Sequence, residues 1–442
     1  MNDVSRTPSE VLQDRRQLRA QYEPEARTIL RPSRFIYCFF AICFVALVAA
    51  TAPRSDNETS CVNPDWFAVR QKFLEGEQLT ALCKGELDAA EGNVRAAENE
   101  LGVIIHRTPR SEDAYHARST LSHVYFRLGR FHEAEAQVGA MGAMKPGAAD
   151  LRNVRPLYEL LARSPDLAIG YSQPSTIESK MFDGNLFAPV VVNGTAAVYM
   201  VDSGMNLSMM SESEAARLHL TPQSIETRMS DISGRVSAPI RVVVVDELTV
   251  GATHLRHVPF LVVLDTNGAF EGVPKGERGV LGIQPLIALG SLGFELGGKL
   301  RVGGKTKTSM AEAPLLFDGA MPLAQIMYQD KPITVTFDSG ATQTTFNPPF
   351  VNLFPDILRA GTNITHAMNG ISGTTEQRAS NIPQLVFAFG REVRLSPATI
   401  LLDETSASSA WAAANLGYDS MQQAVPFTID FRQMKVVFDA HQ

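Results

Sequence analysis

Hydrophobic and polar residues follow three different patterns along the chain, and each pattern predicts a different kind of structure. Residues 35–52 carry no charged side chain, and this segment is just long enough to cross a lipid bilayer as a helix. From Trp66 to about Arg163, Ala, Leu, Glu and Arg dominate, which predicts helices. After Pro165, short runs of Val, Ile, Leu and Phe are interrupted at short, regular intervals by Gly, Pro, Asn and Asp, which is typical of an all-β region.

The helical region, residues 61–165, contains a helix-turn-helix pattern of alternating small and large side chains. The pattern is formed by Tyr115, Ala117, Leu121, Tyr125, Leu128, Gly129, Phe131, Ala134 and Ala136. It resembles a tetratricopeptide repeat, and further helices are predicted over residues 65–78, 86–106 and 150–163. Since about three such repeats are needed for independent stability, we expect either a short module that packs against another part of the protein or a generic helical spacer.

The all-β region repeats three landmarks in the same order and at nearly the same separation. In the first copy, residues 187–304, they are Tyr199-Met200-Val201-Asp202-Ser203-Gly204, Ser230-Asp231-Ile232-Ser233-Gly234 and Gly279-Val280-Leu281-Gly282. In the second copy, residues 314–440, they are Val335-Thr336-Phe337-Asp338-Ser339-Gly340, Asn369-Gly370-Ile371-Ser372-Gly373 and Ala414-Asn415-Leu416-Gly417. The separation of Asp202 from Gly282 differs by a single position from that of Asp338 from Gly417. Chance does not readily produce such agreement, so we expect two related β units.

Each copy contains a hydrophobic run that ends in Asp-Ser-Gly. Gly supplies backbone freedom at a tight turn and leaves room for another group to approach closely. One such tripeptide is weak evidence, because Asp, Ser and Gly are common turn residues. Its repetition in the same context makes Asp202 and Asp338 the candidate catalytic residues.

On these motifs the β region resembles the clan AA aspartic proteases, as two retropepsin-like lobes fused in tandem into a pepsin-like bilobal unit. With the apolar segment, the chain is similar to the bacterial periplasmic aspartyl proteases. The resemblance implies a multidomain protein with a transmembrane helix, an α-helical module and an all-β bilobal protease fold. It implies that Asp202 and Asp338 are catalytic and that their loops support them through Ser203, Gly204, Ser339, Gly340, Ala341 and Thr342. It also implies flap tips over the substrate at Ile232, Ser233, Gly234, Ile371, Ser372 and Gly373.

The resemblance also implies a mechanism. Two carboxyl groups held within about 3 Å cannot both ionise, so the pair shares one proton, a behaviour for which aspartic protease pairs are the standard example. One Asp can take a proton from a water that attacks the peptide carbonyl, while its partner stabilises the oxyanion. The sequence does not assign the proton to either Asp. The implied substrate is an extended polypeptide between the lobes, read mostly by apolar pockets, and no cofactor is implied.

Two residues depart from the family's pattern, and a third affects the expected pKa of the pair. Met205 stands where the family usually has a small residue, so its bulk either crowds the pair or turns into the lobe. Asn415 replaces a hydrophobic residue in the segment expected to pack behind the second loop. Ala341 offers no hydroxyl to the carboxylates, so we expect a raised pKa for the pair and activity nearer neutral pH than for stomach-type enzymes. A profile that peaks below about pH 4 would contradict this.

Composition and charge narrow the function classes. The 442 residues are 45% hydrophobic, which excludes a disordered or collagen-like chain. Forty basic residues against 47 acidic ones give a net charge of -7 without any basic stripe, which argues against a nucleic-acid partner. The Cys and His spacings match no zinc or other metal site. No His recurs with the two copies, so Ser203 and Ser339 are not expected to be nucleophiles.

The apolar segment indicates where the protein lies. Arg27, Arg31 and Arg34 lie close to its N-terminal side, so the positive-inside rule places residues 1–34 in the cytoplasm as a leader and the rest of the chain outside. This predicts a single-pass protein of the inner (plasma) membrane, anchored by residues 35–52, with a periplasmic catalytic region. A cleaved signal peptide ending at Ala50-Thr51-Ala52 is the rival, which Pro53 and the long leader disfavour, and a buried soluble helix is the third interpretation.

The four cysteines do not form a disulfide scaffold. Cys38 and Cys43 lie inside the apolar segment and serve as small apolar residues. Cys61 and Cys83 flank a helical stretch in what should be an oxidising space, where they either form a disulfide or remain two free thiols.

The leading hypothesis is a membrane-anchored periplasmic aspartic endopeptidase that cleaves a protein substrate, with membrane and periplasmic proteins as the expected targets and the helical module as a surface for a partner protein. The alternative is a catalytically silent peptide-binding or scaffold protein, which Met205 alone supports. A third hypothesis is a receptor-like anchor whose helical part recruits partners while the protease serves regulation.

Overall fold

The computed structural model describes residues 61, 65–230, 236–305, 311–370, 373–403 and 411–439, which form a helical region followed by a β-rich region. The leader and anchor predicted over residues 1–52 lie outside the described residues, as do five of the six predicted flap-tip residues. Within the described part of the chain, no helix combines the length and the hydropathy that a membrane crossing requires.

Within the described residues up to Leu161, six helices form the first region. They are α1 (Trp66–Leu74), α2 (Ala81–Ala90), α3 (Val94–Arg107), α4 (Glu112–Arg127), α5 (Phe131–Met144) and α6 (Ala149–Leu161). Three of them begin at residues whose side chains accept hydrogen bonds from the first backbone N–H groups, namely Asp65, Thr80 and Ser111. The helix predicted over residues 86–106 is two helices, because Gly92 adopts a φ of +73° between them.

The first half of the β-rich region forms a nine-stranded sheet, called here the first sheet. Its strands are β1 (Ala168–Ser172), β3 (Lys180–Phe182), β4 (Asn185–Val192), β5 (Thr195–Val201), β6 (Ser208–Ser211), β7 (Gln223–Ser230), β8 (Val236–Val250), β9 (Thr253–Val263) and β10 (Gly279–Leu281). Two helices, α7 (Glu212–Arg217) and α8 (Ile283–Leu289), and a 3-10 turn at Asp265–Asn267 accompany it.

The second half forms a ten-stranded sheet, called here the second sheet. Its strands are β14 (Leu316–Asp318), β15 (Met321–Tyr328), β16 (Lys331–Phe337), β17 (Thr345–Phe346), β18 (Thr362–Gly370), β19 (Gly373–Ile382), β20 (Leu385–Phe389), β21 (Arg391–Leu395), β22 (Ala398–Leu401) and β23 (Ala414–Leu416). Two helices, α9 (Pro348–Leu353) and α10 (Tyr418–Ala424), and a 3-10 helix at Pro355–Ala360 accompany it.

A third sheet joins the two halves. Its six strands are β2 (Ser175–Glu178), β11 (Ser291–Phe294), β12 (Lys299–Val302), β13 (Ala311–Pro314), β24 (Phe427–Asp430) and β25 (Lys435–Phe438). Strand β11 of the first half pairs antiparallel with β24 of the second, with Ser291 opposite Asp430. Backbone hydrogen bonds therefore connect the two copies of the sequence repeat directly.

The strand pairing of the first sheet recurs in the second. Strand β10 runs parallel to β5 and antiparallel to β6, and β23 runs parallel to β16 and antiparallel to β17. Strand β6 is parallel to β9, as β17 is to β22. In both halves a short helix follows the strand that carries the glycine landmark, α8 after β10 and α10 after β23. The sequence repeat is thus also a repeat of topology.

The helical region shares its hydrophobic core with both halves of the β-rich region. Leu121, Phe126 and Tyr158 lie in one buried cluster with Phe187 and Met205 of the first half. A second cluster joins the first two helices to the second half through Trp66, Phe67, Cys83, Leu316 and Leu323. Cys61 and Cys83 form a disulfide, with Cα atoms 5.6 Å apart. The helical region is therefore a packed part of the protein and not a separate spacer, whereas its likeness to tetratricopeptide repeats stays a prediction.

Candidate active site

Two equivalent loops carry the predicted catalytic residues. Asp202 follows β5, and its backbone N–H donates to the carbonyl of Leu281 at 3.0 Å. Asp338 follows β16, and its N–H donates to the carbonyl of Leu416 at 3.0 Å. Both side chains are completely buried. Because the two strands behind the loops occupy the same place in each sheet, the topology presents the two carboxyl groups in matching positions.

The glycine that ends the third landmark of each copy leaves space for the backbone of the catalytic loop. A Cβ atom on Gly282 would lie 2.7 Å from the carbonyl oxygen of Met205, and one on Gly417 would lie 2.5 Å from the carbonyl carbon of Gln343. Only glycine lets the strand end pass this close to the catalytic loop. The landmarks that end in Gly282 and Gly417 therefore lie behind the catalytic loops, which for the second copy is the packing position expected from the sequence.

The two loops are held to each other by their serines. The backbone N–H of Ser203 donates to Oγ of Ser339 at 3.0 Å, and the backbone N–H of Ser339 donates to Oγ of Ser203 at 3.0 Å. The hydroxyl of Ser203 donates to the carbonyl of Phe337 at 3.0 Å, and that of Ser339 donates to the carbonyl of Val201 at 2.9 Å. This reciprocal bonding is the role that the sequence analysis missed, although Ser at the same place in both copies was its signal.

Each carboxyl group lies against the glycine of the opposite loop. A Cβ atom on Gly340 would stand 2.1 Å from Cγ of Asp202, and one on Gly204 would stand 2.4 Å from Cγ of Asp338. These distances leave no space for a side chain at either glycine. The structure thus brings Asp202, Gly204, Asp338 and Gly340 together as one site.

The two carboxyl groups do not receive the same hydrogen bonds. Oδ1 of Asp202 accepts from the N–H of Gly204 at 2.9 Å, and the backbone N–H of Met205 also lowers the pKa of this carboxyl group, whereas its Oδ2 is buried and accepts from no side-chain amide among the described residues. Oδ1 of Asp338 accepts from the N–H groups of Gly340 at 3.0 Å and Ala341 at 3.1 Å. Oδ2 of Asp338 accepts from the side-chain amide of Asn415 at 3.0 Å. Asp338 therefore lies in the more strongly donating environment.

Burial and proximity raise the pKa of both carboxyl groups. Burial, followed by the charge of Asp338, raises the pKa of Asp202 well above its usual range. Burial also raises the pKa of Asp338, against the opposing effect of the hydrogen bonds from Asn415, Gly340 and Ala341. Two buried carboxyl groups in mutual contact cannot both ionise readily, so the pair holds one proton over a wide pH range.

Three residues around the loops complete the description of the site. Met205 is 1% exposed and packs in the apolar cluster shared with the helical region, so its side chain is turned into the protein. Asn185, which the sequence analysis did not single out, donates from its amide to the carbonyl of Gly340 at 2.7 Å. Thr342 is buried beside Gly184, which directly precedes Asn185.

Two hairpins occupy the places expected for the flaps. Strands β7 and β8 pair antiparallel in the first half, and β18 pairs antiparallel with β19 in the second, ending at Gly370 opposite Gly373. Gly373 is the first residue of β19, whereas Ile232, Ser233, Gly234, Ile371 and Ser372 lie outside the described residues. The flap function of these tips stays a prediction. Among the residues described, no group of three His, Cys, Asp or Glu side chains is placed to hold a metal ion.

Comparison with known proteins agrees with this site. Residues 188–284 match the family model described as aspartyl protease, and this stretch includes the first catalytic loop and Gly282. This part of the β-rich region, residues 188–284, therefore matches an aspartyl protease domain. This makes the protein a hydrolase of the aspartic protease type.

Among solved structures, the protease is similar to the crystal structure of a retropepsin-like aspartic protease from Rickettsia conorii. The two chains are 14% identical, the match covers 31% of this chain and 91% of that chain, and the TM-score is 0.21. No curated protein matches the sequence of this protease.

Proposed function

We propose that this protease is a membrane-anchored endopeptidase that hydrolyses peptide bonds of protein substrates in the periplasm, at the inner membrane. The observation that carries the proposal is the pair of buried carboxyl groups, each lying against the glycine of the opposite loop and fixed by reciprocal serine hydrogen bonds. The helices and sheets hold this geometry without any contribution from substrate.

The chemistry of the pair is acid–base activation of water. The ionised member takes a proton from a water whose oxygen bonds to the peptide carbonyl carbon, and the protonated member donates its proton to the carbonyl oxygen. The resulting diol collapses when the peptide nitrogen receives the first proton and the C–N bond breaks, while a diol hydroxyl returns a proton to the second carboxyl group. Protons balance over the cycle, so the pair ends as it began.

The substrate is proposed to lie extended between two lobes, each built on one of the two large sheets. The hairpins β7–β8 and β18–β19 provide strand edges that can bond to an extended backbone. Side chains of an extended peptide point alternately to opposite sides, so specificity would come from pockets at alternate positions, mostly apolar ones.

The location of the protein is argued from its N-terminal part, up to Cys83. The uncharged segment 35–52 with arginines before it favours a single-pass anchor whose N-terminus is cytoplasmic. The disulfide between Cys61 and Cys83 is typical of proteins in an oxidising space. The proposed target is therefore a membrane or periplasmic protein, with the helical region as the surface for a partner protein.

The silent scaffold hypothesis has lost the observation that supported it. It depended on Met205 crowding the pair, and the side chain of Met205 is turned into the apolar core.

The test uses the full-length protein in detergent with denatured polypeptides, with and without a pepstatin-type inhibitor. Asp202→Asn and Asp338→Asn should each abolish cleavage at the same sites, while the exposed Asp356→Asn should cleave as the wild type does. Retained cleavage in either active-site variant would refute the assignment of the pair.

The location and the target need separate measurements. Protease added to spheroplasts should digest the β-rich region but spare a tag placed before residue 35. Extracellular and membrane proteomes of cells with wild-type protein and with Asp338→Asn should differ in the fragments of the physiological target.

A further inference from the structure

The second sheet contains a row of hydrogen-bonded polar side chains at positions where the described residues of the first sheet are apolar. Thr336 on β16 donates from Oγ1 to Oδ1 of Asn415 at 2.6 Å, and Asn415 on β23 donates from its amide to Oδ2 of Asp338 at 3.0 Å. Thr336 and Asn415 are register partners of the parallel pair β16 and β23. Because the amide oxygen of Asn415 accepts the hydrogen bond from Thr336, the amide NH₂ group is directed toward the carboxyl group of Asp338.

The equivalent positions beside Asp202 are apolar. The register partners of β5 and β10 are Met200 and Val280, and both are buried in the cluster shared with the helical region. Neither side chain can donate a hydrogen bond to a carboxylate. The two catalytic loops have similar backbone arrangements. The difference at this pair of positions is that Asp338 receives a side-chain hydrogen bond there and Asp202 does not.

We propose that Asn415, oriented by Thr336, is a positioning residue that holds Asp338 as the ionised member of the pair and thereby leaves the shared proton on Asp202. This rests on the proposed function and deepens it, because it assigns the base that activates water to Asp338 and the acid that protonates the carbonyl to Asp202. A hydrogen bond from an amide stabilises a carboxylate more than a carboxylic acid.

Other groups near Asp338 do not provide this asymmetry. Asp419 on α10 accepts from Thr344 and lies behind the same loop, where burial raises its pKa. Tyr418 on α10 has its pKa raised to about 12 by burial and stays neutral. Asp65 accepts from Thr334, which precedes Thr336 on β16. Within the described part of the chain, Asp202 is the carboxyl group that interacts directly with Asp338.

The test compares the hydrogen-bonded pair Thr336 and Asn415 with a similar pair of side chains in the same sheet. Thr399 on β22 donates from Oγ1 to Oδ1 of Asn381 on β19 at 3.2 Å, and β22 is separated from β23 by β17 in the second sheet. Asn415→Val and Thr336→Val remove the proposed device, and Asn381→Val and Thr399→Val are the matched controls. Valine is the residue that the first sheet carries at the position equivalent to Asn415, so the change is sterically reasonable.

The first readout is the pH dependence of kcat/KM for peptide cleavage. Loss of a donor to the ionised form raises the pKa of Asp338, so the acidic limb should move to higher pH by about one unit in Asn415→Val. Thr336→Val, which only frees the amide to turn, should shift it in the same direction by less. In the two control variants, the acidic limb of the kcat/KM profile should lie at the same pH as in the wild type. An unshifted limb in a folded Asn415→Val protein overturns the proposal.

The second readout does not need activity. Titration of the Asp carboxyl carbons by NMR should show the lower of the two coupled transitions rising in Asn415→Val and not in Asn381→Val. If the wild type cleaves peptides but neither readout moves, the positioning role fails and the proposed function stands. If the wild type cleaves nothing and the lower transition still rises, the positioning role stands and the proposed function fails.

Discussion

The carboxyl group of Asp202 lies so close to Gly340 of the opposite loop that a Cβ atom on this glycine would stand 2.1 Å from its Cγ. The backbone of each loop therefore packs directly against the carboxyl group of the other loop. The Asp and the Gly of the repeated tripeptide depend on each other, because the carboxyl group of one copy fits only where the other copy has a glycine without a side chain.

Gly340→Ala should abolish cleavage. The added methyl group would displace the carboxyl group of Asp202 from its partner, and a shift of about 1 Å at a catalytic group can cost about 100-fold in rate. Peptide cleavage and thermal unfolding should be measured together. The control is Gly102→Ala in α3, where the new Cβ would have no described atom within 4 Å apart from its chain neighbours and the backbone of its own helix, and helix propensity favours Ala by about 1 kcal/mol. Equal activity of the two variants would show that the site is open at Gly340.

Ser203→Ala should lower both stability and activity. The change leaves the carbonyl of Phe337 and the N–H of Ser339 buried without their partner, at a cost of about 2 kcal/mol or more. It also frees the two loops to separate, so kcat should fall. Denaturant unfolding and steady-state kinetics check both effects.

The control for Ser203 is Ser211→Ala, which removes the N-cap of α7. It should cost about 1 kcal/mol of stability without a comparable loss of kcat. The role of the serine bonds would be refuted if both variants lost activity to the same degree.

Asp202→Asn should stabilise the protein near neutral pH while abolishing its activity. The pKa of Asp202 is raised in the folded state, mainly by burial, so between its usual value of 3.8 and the raised value the folded protein binds more protons than the unfolded chain. Stability of the wild type therefore falls as pH rises through that window. Asn removes this titration, so its advantage in Tm should appear above about pH 4 and grow with pH. A constant difference across that range and up to neutral pH would contradict the raised pKa.

Much of the site could be predicted from the sequence because its chemistry is encoded in short repeated motifs. Asp202 and Asp338 were found from a tripeptide that recurs with its strand before it and its glycine landmark at a matching distance after it. Those landmarks are local in sequence, and their separation is fixed by the topology that both halves share. A different pattern, the distribution of hydrophobic, polar and turn residues, predicts the order of a helical region followed by a β-rich region.

What the sequence could not provide are contacts between residues that are distant along the chain. In the sequence, Asn415 only replaces a hydrophobic residue of a packing segment, whereas in the structure its amide donates to Asp338, far away in the sequence. The sequence leaves the direction of the Met205 side chain open, because that direction depends on the helical region that packs beside it. Neither contact has a local signature, since each requires the register of strands that only the folded sheet defines.

The disulfide between Cys61 and Cys83 should contribute about 3 kcal/mol to stability, as expected for a closed loop of this length. A Cys61→Ala, Cys83→Ala double variant should unfold at lower denaturant concentration than the wild type, and reductant should lower the wild type to the same value. Thiol counting on protein taken from cells tests the compartment as well. If Cys61 and Cys83 are found free there, the periplasmic location is wrong.

Arg127→Met should destabilise the helical and β-rich regions together. The buried Arg127 guanidinium donates to the carbonyls of Gly319 and Ala89 and lies over the ring of Phe317, and burial lowers its pKa to about 9. Its loss leaves two carbonyl groups without a donor, at a cost of about 3 kcal/mol.

The exposed Arg107→Met on α3 is the control and should change stability by less than about 0.5 kcal/mol. The two regions share hydrophobic clusters, and Trp66 and Trp411 both pack in the cluster that joins α1 to the second half. Circular dichroism of the helices and tryptophan fluorescence should therefore report a single unfolding transition, at a lower denaturant midpoint in Arg127→Met. Two separate transitions in the wild type would show that the helical region folds on its own, and deletion of the helices would then be a valid test of substrate selection.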